Sequence, residues 1–126
     1  MPATLKQFRQ IALSFPETQE QSHQHHPDFR VAGKIFATLG YPDKNWGMVK
    51  LTPEQQEELI HDEPKSFVPA AGAWGRQGST TVRLNSVKKS TLHRALEAAW
   101  RNTAPKDLVK TFKTAGRIKR SPTPAA

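Results

Sequence analysis

Residues 29–51 read FRVAGKIFATLGYPDKNWGMVKL, and three short strands can be read from them. Phe29 to Ala32 alternates, with Phe29 and Val31 on one face and Arg30 on the other. Gly33-Lys34 is a two-residue break with glycine first, the chemistry of a type II′ hairpin turn. Ile35 to Leu39 returns with Ile35, Ala37 and Leu39 inward and Phe36 and Thr38 outward. Residues 40–45, GYPDKN, are dense in turn formers, so the chain reverses again. Gly47 to Leu51 is the third strand, with Val49 and Leu51 inward and Met48 and Lys50 outward. Links this short join antiparallel neighbours, so the stretch is a meander and not a parallel crossover unit.

Upstream, Thr4 and Gln7 have the spacing of a capping box that opens a helix. Leu5, Phe8, Ala12 and Phe15 share its apolar face with Ile11 beside them, and Pro16 stops it. Downstream, Thr52-Pro53-Glu54-Gln55 starts a second helix: a Thr cap, Pro in the first turn and Gln closing the box. Glu54, Glu57 and Glu58 suit the positive end of its dipole, and Pro64 bounds it. Ser79 to Leu84 alternates as a last strand, with Thr80, Val82 and Leu84 on one face and Thr81 and Arg83 on the other. Ser90 caps the strongest helix, in which Leu92, Ala95, Leu96, Ala99 and Trp100 follow core spacing. That spacing gives Trp100 a packing role. After Pro105 a short helix offers Leu108, Val109 and Phe112 for packing.

The 126 residues suffice for one domain, here 1–112, followed by an aperiodic basic tail at 113–126 that reads as disordered. No cysteine is present, which removes disulfides and thiolate metal sites and fits a reducing cytoplasm. No apolar run reaches membrane-spanning length, and no secretory leader is visible. Net charge is +8 and is uneven: residues 1–105 carry +3, and residues 106–126 carry +5. Such a balance favours polyanionic partners through long-range attraction and counterion release.

Catalysis needs a nucleophile beside an oriented base, and neither His61 nor His93 has such a partner at a telling spacing. The reading is therefore a non-enzyme without a cofactor. His23 and His25 would share a strand face, a spacing that suits a metal ion, but a third ligand is missing nearby and an exposed polar edge is the simpler reading. Residues 67–78, FVPAAGAWGRQG, form a small-residue loop with two readings. Either backbone N–H groups near Gly75 and Gly78 cradle an anion together with Arg76, or Trp74 plugs the core edge.

Several separated segments resemble the MmcQ/YjbR family. His26, Phe29, Arg30, Val31, Gly33, Lys34, Phe36 and Ala37 are similar to its histidine–Phe-Arg-Val–Gly-Lys–Phe-Ala segment. Val49, Lys50 and Leu51 match its strand-to-helix junction, and FVPAAGAWGRQGSTTVRL with ALEAAWRNTAPK looks like the second half of one branch. The resemblance spans about residues 4–112. It implies an α+β fold with an antiparallel sheet of four to five strands and helices packed on one face, the double-wing or frataxin-like arrangement. It also implies an edge strand at Glu20 to Gln24 and a role in DNA binding. Frataxin-like iron binding calls for an acidic surface, which this basic chain does not offer.

The expected function is duplex DNA binding by a cytoplasmic monomer, with the two hairpin turns acting as wings. Arg30, Lys34, Lys44 and Lys50 would contact phosphates, with Arg83 beside them on the outer sheet face. Trp46 would stack on a base or sugar, or pack at the sheet edge. Arg76 and the tail residues Lys113, Arg117, Lys119 and Arg120 would add electrostatic grip. Contacts of this kind position more than they specify, so selectivity for sequence would be weak. The alternative is a small-molecule or protein-binding domain that uses the open sheet face or the Trp74/Arg76 loop.

Overall fold

The computed structural model describes residues 3–23, 25–40 and 44–112. In chain order the elements are helix α1 (Leu5–Leu13), strands β1 (Thr18–His23), β2 (His26–Val31), β3 (Lys34–Leu39) and β4 (Trp46–Lys50), then helix α2 (Pro53–Asp62). Strand β5 (Phe67–Pro69), helix α3 (Gly72–Arg76), strand β6 (Ser79–Arg83) and helix α4 (Lys89–Thr103) follow. A last helical segment, α5, covers residues 106–112. The strands make one antiparallel sheet in the order β1-β2-β3-β4-β6-β5. The fold is α+β as expected, with six strands where four to five were read.

Local chemistry explains most boundaries. Both capping boxes form: Thr4 Oγ1 accepts from Gln7 N–H, Thr52 Oγ1 accepts from Gln55 N–H, and each glutamine accepts from its cap's N–H in return. α4 starts two residues earlier than its serine suggests, with Lys88 at the cap position and no side-chain cap bond. The edge strand is longer than expected and pairs residue for residue with β2, from Thr18↔Val31 to His23↔His26. His25 is not on that strand; it lies between β1 and β2 with a left-handed backbone (φ 68°). It therefore does not share a strand face with His23.

One sheet face carries all the main helices. The register aligns Phe29, Ala37, Val49 and Thr80 in one row, and Leu39, Gly47, Val82 and Phe67 in the next. Against these rows pack Phe8, Ile11 and Ala12 of α1, Leu59 of α2, and Leu92, Ala95, Leu96, Ala99 and Trp100 of α4. Leu5, expected on the apolar face of α1, is 41% exposed, and Ala3 is buried in its stead. Trp100 is fully buried, packs with Phe15 and Phe112, and donates its indole N–H to Pro16 O at 3.2 Å. Burying an aromatic ring of that size contributes about 3 kcal/mol, which makes the α4–α5 corner a major anchor.

Two sequence readings are corrected by the sheet. Phe36, read as outward, is fully buried, while Ile35, read as inward, is only half-buried. The register gives the reason: Phe29 faces Ala37, but Arg30 faces Ile35, so Phe36 is skipped by a bulge and the alternation changes parity. The first turn also differs. Ala32 (φ 53°) and Gly33 (φ 78°) are both left-handed, and Val31 pairs with Lys34. The turn is thus of type I′ centred on Ala32-Gly33, and Lys34 belongs to the strand.

Candidate nucleic-acid interface

The face of the sheet opposite the helices carries the other residue set. Its middle row runs Asp28, Thr38, Met48, Thr81 and Val68 across five strands. On either side lie the pairs Trp46↔Arg83 and Lys50↔Ser79. Arg30, two residues from Asp28 on the same strand, belongs to this face as well.

A meander sends successive turns to opposite ends of its sheet. The β2–β3 turn with Gly33 lies at one end, and the β3–β4 turn with Lys44 lies at the other. The six residues of β3 separate them by roughly 17 Å at about 3.4 Å per residue. The expected wings therefore share a sheet but not a tip. Arg30, Lys34 and Lys50 gather at the first end, where they line an open concavity of about 420 Å³ with Gly33, Ile35, Asn102 and Thr103. Lys44, Trp46 and Arg83 gather at the second.

The cations differ in how far they are already engaged. Arg30 forms a two-point ion pair with Asp28, Nε to Oδ1 at 2.8 Å and one terminal nitrogen to Oδ2 at 3.1 Å. The Asp28 side chain is fully buried, and the hydrogen bond to it holds the Arg30 guanidinium above its ordinary pKa. Arg30 therefore stays charged but is largely neutralised in place. Arg9, Arg94 and Arg101 are paired with Glu20, Asp62 and Glu97. Among the described residues, Lys34, Lys44, Lys50, Arg76 and Arg83 make no ion pair. The Arg83 guanidinium lies 4.8 Å from the centre of the half-buried Trp46 ring, a cation–π contact across the β4–β6 pair.

The glycine loop resolves into β5 and α3, neither of which was read from the sequence. One of its two readings needs correction. Trp74 does not plug the core edge: it is 61% exposed on α3. Gly75 and Gly78 serve close packing. A Cβ on Gly75 would stand 1.8 Å from Ala70 O, and one on Gly78 2.0 Å from Leu51 O. Their lack of a side chain lets α3 and the start of β6 seat against neighbouring backbone. Arg76 is exposed on α3. Lys113, Arg117, Lys119 and Arg120 lie outside the described residues.

Sequence reasoning missed Asn102 and Thr103. They end α4, and only the packing of that helix brings them beside Lys50. Asn102 Nδ2 donates to Lys50 O at 3.0 Å and to Gln55 Oε1 at 2.7 Å, which ties the end of β4 to α2 and α4. No local signal marks that contact. Among the described residues, no three His, Cys, Asp or Glu side chains stand together as a metal site, and no helix is long and apolar enough to cross a membrane.

The family model named YjbR matches residues 13–102. A crystal structure of the Deinococcus radiodurans protein DR2400, with a DUF419 domain, matches at a TM-score of 0.68 and 20% identity. The match covers 98% of this chain and 91% of that one, and at this identity it shows the fold alone. No curated protein matches the chain.

Proposed function

The chain belongs to the YjbR family, and from that premise we propose that it is a non-catalytic nucleic-acid-binding module. The reading holds that it grips the phosphate backbone with the cationic side chains on the sheet face away from the helices and at the ends of the sheet. The carrying observation is the outward row of β4. Trp46, Met48 and Lys50 point away from the helices, Arg83 lies on Trp46, and no acid pairs with Lys50 or Arg83 among the described residues. Trp46 and Lys50 are four residues apart, roughly 13 Å along the strand. That reach corresponds to about four steps of a strand rising 3.4 Å per phosphate. Lys34, Lys44 and Arg76 extend the positive surface to both ends, and Lys113, Arg117, Lys119 and Arg120 add charge in sequence. Duplex DNA is the proposed partner, bound with weak selectivity by a monomer in the cytoplasm, and no cofactor is required.

The test is binding of the full chain to duplex DNA across a salt series. Affinity is expected to fall steeply from 50 to 200 mM salt. A slope of about −3 to −5 in log–log form would correspond to between three and six phosphate contacts. Replacing Arg83 and Lys50 together with glutamine should lower the slope by about 2. Absence of binding at low salt, or affinity indifferent to salt, removes the reading.

A second reading draws on Trp74. A tryptophan 61% exposed beside Arg76 suits a protein- or small-molecule-binding surface. Thermal-shift measurements with and without DNA separate the two. Stabilisation by DNA that survives Trp74→Ala supports the first reading; no effect of DNA favours the second.

A further inference from the structure

Most of the positive surface is open, but one part is concave. The concavity at the β2–β3 end is bounded by the turn (Gly33, Lys34), by Ile35 and Arg30, by Lys50 at the end of β4, and by the last turn of α4 (Asn102, Thr103). We infer that it is a site for a phosphate monoester, either the terminal phosphate of a nucleic-acid strand or that of a free nucleotide. The strand-end case rests on the nucleic-acid reading above; the free-nucleotide case does not.

Charge, size and preorganisation of the concavity all favour such a ligand. Arg30 and Asp28 cancel, so the net charge lining the concavity is that of Lys34 and Lys50, +2. A bridging phosphodiester carries one negative charge, whereas a monoester carries about −1.5 to −2 at pH 7. The monoester is the better match. At about 420 Å³ the space exceeds a lone phosphate and falls in the range of small-ligand sites, with room for an attached sugar.

The walls are held in place. Asn102 fixes Lys50 through its backbone carbonyl, and Asp28 grips Arg30 at two points, leaving the remaining guanidinium N–H groups as donors. Gly33 leaves the rim open, since a Cβ there would meet nothing within 4 Å. Thr103 Oγ1 spends its proton on Ala99 O, so recognition falls to the lysines and Arg30.

The experiment compares one single-stranded oligonucleotide with a 5′-phosphate, the same strand with a 5′-hydroxyl, and adenosine monophosphate alone. Affinity is measured at low salt, and amide shifts are followed by NMR on the full chain. The phosphorylated strand is expected to bind about tenfold tighter than the hydroxyl strand. Both phosphorylated probes should shift the amides of residues 33–35, 50, 102 and 103. The double variant Lys34→Gln/Lys50→Gln should lose the tenfold difference, with its amide spectrum reporting that it is folded.

Equal affinity for the two strands, with no shift at these amides from the mononucleotide, overturns the inference while binding to either strand leaves the nucleic-acid reading standing. Shifts from the mononucleotide with no binding of either strand support the site in its free-nucleotide form, and the nucleic-acid reading then stands or falls on the duplex salt series. A tenfold preference that persists in a folded double variant also overturns the inference, because the phosphate would then be held elsewhere.

Discussion

At Ala32 the backbone takes φ 53°, and Gly33 follows at 78°. A residue with a Cβ pays about 1–2 kcal/mol for the left-handed region, which glycine enters freely. Ala32→Gly should therefore stabilise the protein by about 0.5 kcal/mol once glycine's extra chain entropy is offset. A rise in Tm checks this; a fall would mean that the turn is not of type I′. The sequence pointed to a turn here but with the wrong type and place, type II′ on Gly33-Lys34, because the glycine was read as its first residue and not its second. Arg30 teaches the opposite lesson. Alternation placed it outward, but the strand was read only from Phe29, so its neighbour Asp28 on the same face went unread. That Asp28 would be fully buried, and so claim the guanidinium, was not legible. Trp74 looked like a core residue by type and is 61% exposed. Residue type alone does not tell whether a small-residue segment lies over the core or beside it.

Among the elements, the helices were the most legible. Both capping boxes and the apolar stripe of α4 were read from spacing, because a helix stores its pattern within a few residues. The third and last strands were read within a residue at each end. Ala37, Thr38 and Leu39 of β3 lie as read, but Ile35 and Phe36 were given the wrong faces, since the bulge depends on how β2 pairs with β3 and leaves no local mark. This gives a sharp contrast to measure. Phe36→Ala should cost about 3–5 kcal/mol, as for a buried aromatic, and Ile35→Ala about 1 kcal/mol or less. Denaturation midpoints that reversed that order would refute the bulge. β5 escaped because it has three residues, ends in Pro69 and lies at the sheet edge, where β6 supplies the pairing that its own sequence does not advertise.

For the whole molecule, the question is how separate parts are tied. Arg94 of α4 reaches Asp62 at the end of α2, and the hydrogen bond it donates holds the Asp62 carboxyl below its ordinary value of 3.8. A carboxyl whose pKa is depressed on folding stabilises above its unfolded pKa, and that contribution is lost as pH falls through the folded value. The tie should thus be fully present at pH 7 and fade below about 3.8. Asp62→Asn should melt slightly lower than the parent at pH 7, and the two curves should converge as the solution is acidified. The effect will be small because both side chains are well exposed. A gap that widened in acid would contradict the assignment. The same scale governs charge. The net +8 was evident from composition, yet which cations are paired with acids and which stand open depends on distant segments meeting.

The sequence by itself determined the fold class, the order of most elements and the positive balance, because caps, turn formers and periodic apolar positions act over a few residues. Only the tertiary structure decided that the two basic turns lie at opposite ends of the sheet. It also gave Arg30 to Asp28 and brought the end of α4 beside Lys34 and Lys50. Those outcomes follow from strand register and helix docking, which are set by contacts between residues far apart in the chain.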